Sequence, residues 1–214
     1  MQIIEYLKSF NRKERFHLVG QLLGNTEFNL DPSILQKILD LLELDTPPSY
    51  FSAMDYHLDW IYASLELAYV HGNEPRTRDS LRITATQEDV DFLLAFEDES
   101  GNTHIIMIEA KGDTPFTNNQ LQSKANRLRA IFGENNENWS NVIPHFLICS
   151  PIEPNRIEIE NIPSFMLNKD NSKLNWFILD MPLNQRKVTR CHLNGKASKY
   201  GKYWKVDILR NSKS

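Results

Sequence analysis

Apolar positions along the chain recur with two different periods, and the places where the period changes mark out its elements. In KERFHLVGQLLG, residues Phe16, Leu18, Val19, Leu22 and Leu23 fall at helical spacing, and Gly24 closes the stretch. DPSILQKILDLLEL opens with an Asp31 cap and a first-turn proline at Pro32, and it carries Ile34, Leu35, Ile38, Leu41 and Leu42 on one stripe. These helices are read as an N-terminal accessory segment, residues 1–50, punctuated by Thr46-Pro47-Pro48. A longer helix is predicted from about Ala53 to His71, stopped by Gly72-Asn73 and Pro75. Its apolar residues cover most of its circumference, so it is expected to lie buried against a sheet.

A short strand is predicted at LRITAT, residues 81–86, followed by two strongly apolar runs, DFLLAF and HIIMIEA. GDTPFTNN then leads into a helix from about Thr117 to Ile131, with Leu121, Ala125 and Leu128 inward and Gly133 after its end. VIPHFLICS is apolar enough for a strand buried on both faces. The core order expected is therefore helix, three strands, helix, strand over residues 53–150, an α/β (α+β) domain. Beyond Pro151 the pattern loosens, with strands expected at NWFILDM, KVTRCHL and YWKVDIL and a hairpin turn at Asn194-Gly195. Residues 151–214 are read as a basic, β-rich extension of the same domain.

Charge interrupts the two central apolar runs. Asp91 opens FLLAF, while Glu109 and Lys111 close IIMIEAK. Such residues are depleted in strands, so at the end of a buried run they must be paired, solvated or bound to a ligand. A three-residue loop, Glu99-Ser100-Gly101, with Gly101 left-handed, makes opposed residue numbers sum to 200. Asp91 then faces Glu109 with Cβ atoms about 4.5–5.5 Å apart, and Lys111 lies one pleat further on. A two-residue loop at Ser100-Gly101 would make the carboxylate pair diagonal instead. Two ionised carboxylates that close call for a shared proton or a cation. Their hard oxygens suit Mg2+ or Mn2+, which lowers the pKa of bound water and offsets charge on a phosphoryl oxygen. Lys111 would orient that water or stabilise the anion formed. Glu66, on one polar stripe with Asp59 and Tyr62, is expected to point toward the pair, and Gln120 and Lys124 share a helix face one turn apart.

Composition narrows the function classes. The chain has 214 residues, 41% hydrophobic and 24% charged, enough for one sizeable core of a globular protein. No signal-like apolar N-terminus and no membrane-length run is present, so a cytoplasmic protein is expected. Cys149 and Cys191 lack a CxxC or ligand spacing and are read as reduced thiols, and the six histidines form no HxH or HExxH. No Gly-rich phosphate loop and no GxSxG elbow occurs. The net charge of −4 hides an asymmetry: from Gln185 onward nine Lys and Arg stand against Asp207 alone, leaving the preceding part twelve negative charges in surplus. Within KASKYGKYWKV, Lys196, Lys199, Lys202 and Lys205 interleave with Tyr200, Tyr203 and Trp204, a pattern of cations for phosphates and rings for bases. The same lysines also fit an edge strand guarded against aggregation.

The element order together with Asp91 on DFLLAF and Glu109-Ala110-Lys111 resembles the PD-(D/E)XK nuclease superfamily. The resemblance spans about residues 53–150 and implies a restriction-endonuclease-like core and a Mg2+- or Mn2+-dependent endodeoxyribonuclease acting on DNA. It implies Asp91 and Glu109 as metal ligands, Glu66 on the first helix as a further ligand, Lys111 as the water-positioning amine, and Gln120 as the glutamine after the motif. Gln122 is the alternative to Gln120, and Asp89, on the same face as Asp91, is the alternative ligand. Val90 stands where many members have proline. Arg76, Arg78, Arg82, Lys124, Arg127 and Arg129 flank the motif as candidate phosphate contacts. A homodimer is expected if one site per chain cuts both strands. The alternative is a nucleic-acid-binding module that keeps the fold without turnover, and a third reading makes the charges of Asp91, Glu109 and Lys111 plain ion pairs.

Overall fold

The two apolar strands on either side of Gly101 form as a hairpin, and the rest of the sheet is built out from them. The computed structural model describes residues 2–70, 72, 74–77, 81–86, 88–182 and 185–208. In chain order these hold α1 (Gln2–Phe10), α2 (Glu14–Leu22), α3 (Pro32–Leu42), β1 (Phe51–His57), α4 (Leu58–Tyr69), β2 (Asp89–Glu97), β3 (Thr103–Ala110), α5 (Asn118–Phe132), β4 (Val142–Ser150), a 3-10 turn at Ser164–Met166, β5 (Asn175–Ile178), β6 (Arg186–Cys191) and β7 (Tyr203–Ile208). The result is a mixed α+β fold with a five-stranded sheet in the order β1-β2-β3-β4-β5 and a separate two-stranded ribbon, β6-β7. The first two pairings of the sheet are antiparallel and the last two parallel. A parallel β3-β4 pair needs a crossover, which α5 supplies.

The hairpin has the register expected from its loop. Phe92 pairs with Ile108 and Glu97 with Thr103, Asp98 N donates to Asn102 O at 2.9 Å, and Gly101 sits at φ +81°. A side chain at that left-handed position would be strained, so glycine fits the turn.

Two expectations fail at the edge of the sheet. Residues 51–57 are a strand and not the start of the long helix, which begins only at Leu58. FSAMDYH pairs along β2, with Ala53 opposite Leu93 and Tyr56 opposite Val90, and the sheet's demand for an outer strand overrides the helical reading of its short apolar run. LRITAT is not a strand. The N–H groups of Thr84 and Ala85 donate to the Asp59 carboxylate at 3.2 and 2.9 Å, and Ala85 is left-handed at φ +58°, which no strand accommodates. The strand beside β2 is therefore β1, which precedes α4 instead of following it.

Both faces of the sheet are covered. On one face, residues of α1, α4 and α5, among them Leu7, Ile61, Leu65 and Leu128, join Leu93, Ile105 and Met107 in the larger apolar cluster. Helix α1 is tied in by the Tyr56 hydroxyl, which donates to Leu7 O at 2.8 Å. On the other face, Ile38 and Leu39 of α3 cover Leu94, Phe96, Ile106 and Leu147. Among the described residues, no helix is long and apolar enough to cross a membrane.

At the turn end of the hairpin lies a partly buried chain of polar side chains. His104 Nδ1 is 2.9 Å from His145 Nε2, and His104 Nε2 is 3.2 Å from Asp98 Oδ2. Burial, with His104 adding to it, pushes His145 down to about 3. Asn102 hydrogen bonds, helped by His104, hold Asp98 at about 2. An unfolded His145 takes up a proton below about pH 6.5, whereas the folded one resists until about 3. Between those values the unfolded state binds more protons, so stability falls as the pH drops, by at most about 1.4 kcal/mol per pH unit from this residue. Urea unfolding midpoints measured from pH 7 to pH 4 should decline, and His145→Gln should flatten that decline. An unchanged slope in the variant would rule out this origin.

Candidate functional site

The ladder joining β2 to β3 runs as far as Phe92 opposite Ile108, so the next pair in register is Asp91 and Glu109. At this point a side chain takes over from the backbone. Lys111 N donates to Cys149 O on β4 at 2.9 Å; N–H groups alternate in direction along a strand, so Ala110 N points back toward β2. It meets not a backbone carbonyl but Asp91 Oδ2, at 2.6 Å. The Asp91 carboxylate is thereby fixed against the peptide that follows Glu109.

Glu109 is held by two amines. Its Oε2 lies 2.5 Å from Lys124 Nζ and its Oε1 3.6 Å from Lys111 Nζ. Lys124 is buried and also donates to Asp89 O at 2.7 Å, so α5 grips β2 and β3 through one ammonium. The Asp89 carboxylate faces Lys13 at 3.5 Å. The thiol of Cys149 registers both carboxylates: burial first, then the charges of Asp91 and Glu109, push it up to about 11. His57, at the start of α4, is pushed below its usual value by burial and by Lys13.

An open cleft of about 430 Å³ lies over this cluster, lined by Asp89, Glu109, Lys111, Phe116, Gln120 and Lys124 among others. Gln120 stands at its rim on the first turn of α5, where Thr117 caps the helix and donates to Gln120 Oε1 at 3.1 Å. Gln122 turns away, to Asn126 and Asn161 O. The cleft therefore brings Glu109, Lys111 and Gln120 together, while Asp91, next to Glu109 in register, is not among its lining residues. Glu66 is elsewhere, in a second cleft of about 670 Å³ with Tyr62 and Arg76, whose Nε is 3.9 Å from Glu66 Oε1. Among the described residues, no group of three or more His, Cys, Asp and Glu converges. The oxygen donors at the hairpin end are the carboxylates of Asp91 and Glu109, with Asp89 on the cleft wall.

Most of the cations expected to meet phosphates are committed within the chain. Arg127 is buried and binds Asp59, Glu88 at 3.0 Å and Thr84 at 2.7 Å, locking α4, Thr84, Glu88 and α5 together. Arg129 binds Glu134, Asn126 and Asn161, Arg82 donates to Ala130 O at 3.0 Å, and Arg76 donates to Val70 O and Gly72 O. Arg78 lies outside the described residues. The role of Lys124 as the partner of Glu109 went unread in the sequence. Its signal was there: Lys124 sits three residues after Leu121 and four before Leu128, an amine on the inward stripe of α5. Cys149 and Cys191 are free and buried.

No family model, characterised protein or solved structure matches the chain, so the chemistry of the cleft is read from its own residues.

Removing the Lys124 ammonium strands the Glu109 carboxylate and the Asp89 carbonyl. Lys124→Met should lower the unfolding free energy by about 3 kcal/mol, the lower end for breaking a buried pair, and Glu109→Gln in the same chain should recover part of it. Chemical denaturation of the two single variants and the double variant measures this. A loss below about 0.5 kcal/mol, the size of an ordinary surface change, would mean that the amine is no keystone.

Proposed function

We propose that this cleft is the active site of a metal-dependent nuclease that hydrolyses DNA phosphodiester bonds, built on a core of the PD-(D/E)XK, restriction-endonuclease-like type. The observation that carries the reading is the junction of β2 and β3, where Asp91 and Glu109 are neighbours in register and the Lys111 ammonium lies 3.6 Å from Glu109. The resemblance rests on β2, β3, α5 and β4. The strand beside β2 comes before α4 here, which departs from the family's order, and Val90 replaces its proline.

Two carboxylates suit Mg2+ or Mn2+, ions that take one or two protein carboxylates and keep several waters. Asp91 and Glu109 would hold the ion, while Glu66, in its separate cleft, has no part in the set. Once bound, the ion supplies an activated water and neutralises charge on the phosphoryl oxygen. The rest falls to the chain. Lys124 fixes the orientation of Glu109, and the Ala110 N–H fixes that of Asp91. Lys111, partly open to the cleft, positions the attacking water and offsets the charge that builds on the phosphate. Gln120, which lines the cleft, would donate to a phosphate oxygen.

A second reading, binding without turnover, is favoured by one feature: both Glu109 oxygens face lysines, which already neutralise the carboxylate a metal would use. Incubating the protein with supercoiled and linear DNA in Mg2+ or Mn2+ separates the two. Cleavage is expected, and Lys111→Ala should reduce it by at least ~100-fold, the scale of losing a group that stabilises transition-state charge. If wild type leaves both substrates intact, or Lys111→Ala cuts equally well, the nuclease reading fails. Salt-sensitive binding indifferent to EDTA would then establish the second.

A further inference from the structure

Among the described residues, nothing covers one face of the β6-β7 ribbon. Its register sets Arg190 opposite Trp204, Val188 opposite Val206 and Arg186 opposite Ile208. Directly opposed residues share a face, so these six side chains form one surface, and all six are exposed, Trp204 at 69% and Val188 at 72%. The surface carries no carboxylate. Asp207, the ribbon's single acid, is on the opposite face, paired with Lys205 at 3.1 Å.

Charge selects the occupant. Between Gln185 and Ile208 the chain has seven Lys and Arg against Asp207. Two such ribbons repel each other, and lysines along an edge discourage strand addition. A partner that is both anionic and offers flat apolar surfaces satisfies this face, and unpaired nucleic-acid bases are such surfaces. Spacing separates single strand from duplex. Side chains two residues apart on a strand stand about 6.8 Å apart, twice the ~3.4 Å step between stacked bases in a duplex. An extended, unstacked strand therefore matches the rows Trp204, Val206 and Ile208, whereas bases inside a duplex keep their faces covered.

Position links the ribbon to the cleft. Lys187 Nζ binds Asp113 at 3.3 Å, two residues after Lys111. Met181, on the segment leading into the ribbon, presses on Gly112, where an added Cβ would lie 2.8 Å from its Sδ. The ribbon is thus tethered, through the face opposite Trp204, to the loop that follows the Glu109-Ala110-Lys111 stretch.

We propose that the Trp204 face of the β6-β7 ribbon binds single-stranded DNA and leads it to the cleft, so that the substrate is DNA with an unpaired stretch. The link to cleavage rests on the nuclease reading; the binding does not. The test uses the full chain in EDTA, where metal-dependent cutting is absent, with fluorescence anisotropy of a labelled single-stranded oligonucleotide and of the same sequence as a blunt duplex. The single strand should bind at least ~10-fold tighter. Trp204→Ala should weaken it roughly 5- to 100-fold, the range for losing one stacked base, Trp204→Phe should retain most of the affinity, and Arg190→Ala should lower the salt dependence. Because Trp204 is exposed, unchanged circular dichroism confirms that the variants fold. Equal or tighter duplex binding, an indifferent Trp204→Ala, or affinity only for anionic vesicles would overturn the proposal. Binding through Trp204 without any cleavage in Mg2+ would leave it standing while defeating the nuclease reading.

Discussion

One buried ammonium holds the carboxylate-bearing end of the sheet together. Lys124 reaches from α5 to the carboxylate of Glu109 on β3 and the carbonyl of Asp89 on β2, so helix and both strands are fixed by two hydrogen bonds from a single nitrogen. Taking that amine out of water is costly unless its hydrogen bonds are met, and both of these partners lie where the β2-β3 ladder ends. The same economy governs Asp91, which satisfies the Ala110 N–H that has lost its backbone partner. The charged residues at the ends of these apolar strands are structural closures as well as candidate chemistry, and both roles demand the same positions.

What could be read from the sequence was local. The hairpin needs only Asp98, Gly101 and Asn102 to set its register, and the cap and stop of α5 lie at Thr117 and Gly133, so those elements were legible. What could not be read depends on distant partners. Residues 81–86 have an apolar, β-branched composition, but Asp59 on α4 captures their N–H groups and Arg127 on α5 captures the Thr84 hydroxyl, which holds the segment as a loop. Phe51–His57 looked like the start of a helix because its apolar residues run into those of α4; only the open edge of β2 makes it a strand. Of the site, Asp91, Glu109, Lys111 and Gln120 were legible as a group. Glu66 lies with Tyr62, as its helical stripe says, but in a separate cleft beside Arg76, which nothing in the spacing shows.

The cations fall into two populations. Those of the body are consumed internally: Arg127 and Lys124 are nearly inaccessible, and Arg82, Arg76 and Arg129 cap carbonyls or pair with carboxylates. Those of the ribbon lie on the surface, where Lys187 and Lys205 pair with Asp113 and Asp207 and Arg190 donates to Lys199 O at 3.0 Å. An acidic body thus carries a basic projection, and the two differ in where their cations sit, inward in one and at the surface in the other.

The ribbon's isolation has a further consequence for motion. Two strands that pair only with each other have few cross-links to share the cost of opening, whereas each hydrogen bond of the five-stranded sheet is backed by cores on both faces. The backbone amides of β6 and β7 should therefore trade their protons with solvent through small local openings, and those of β2 to β4 only when the whole fold comes apart. The chain keeps two clocks, a fast one in the element that meets the outside and a slow one in the element that holds the carboxylates still.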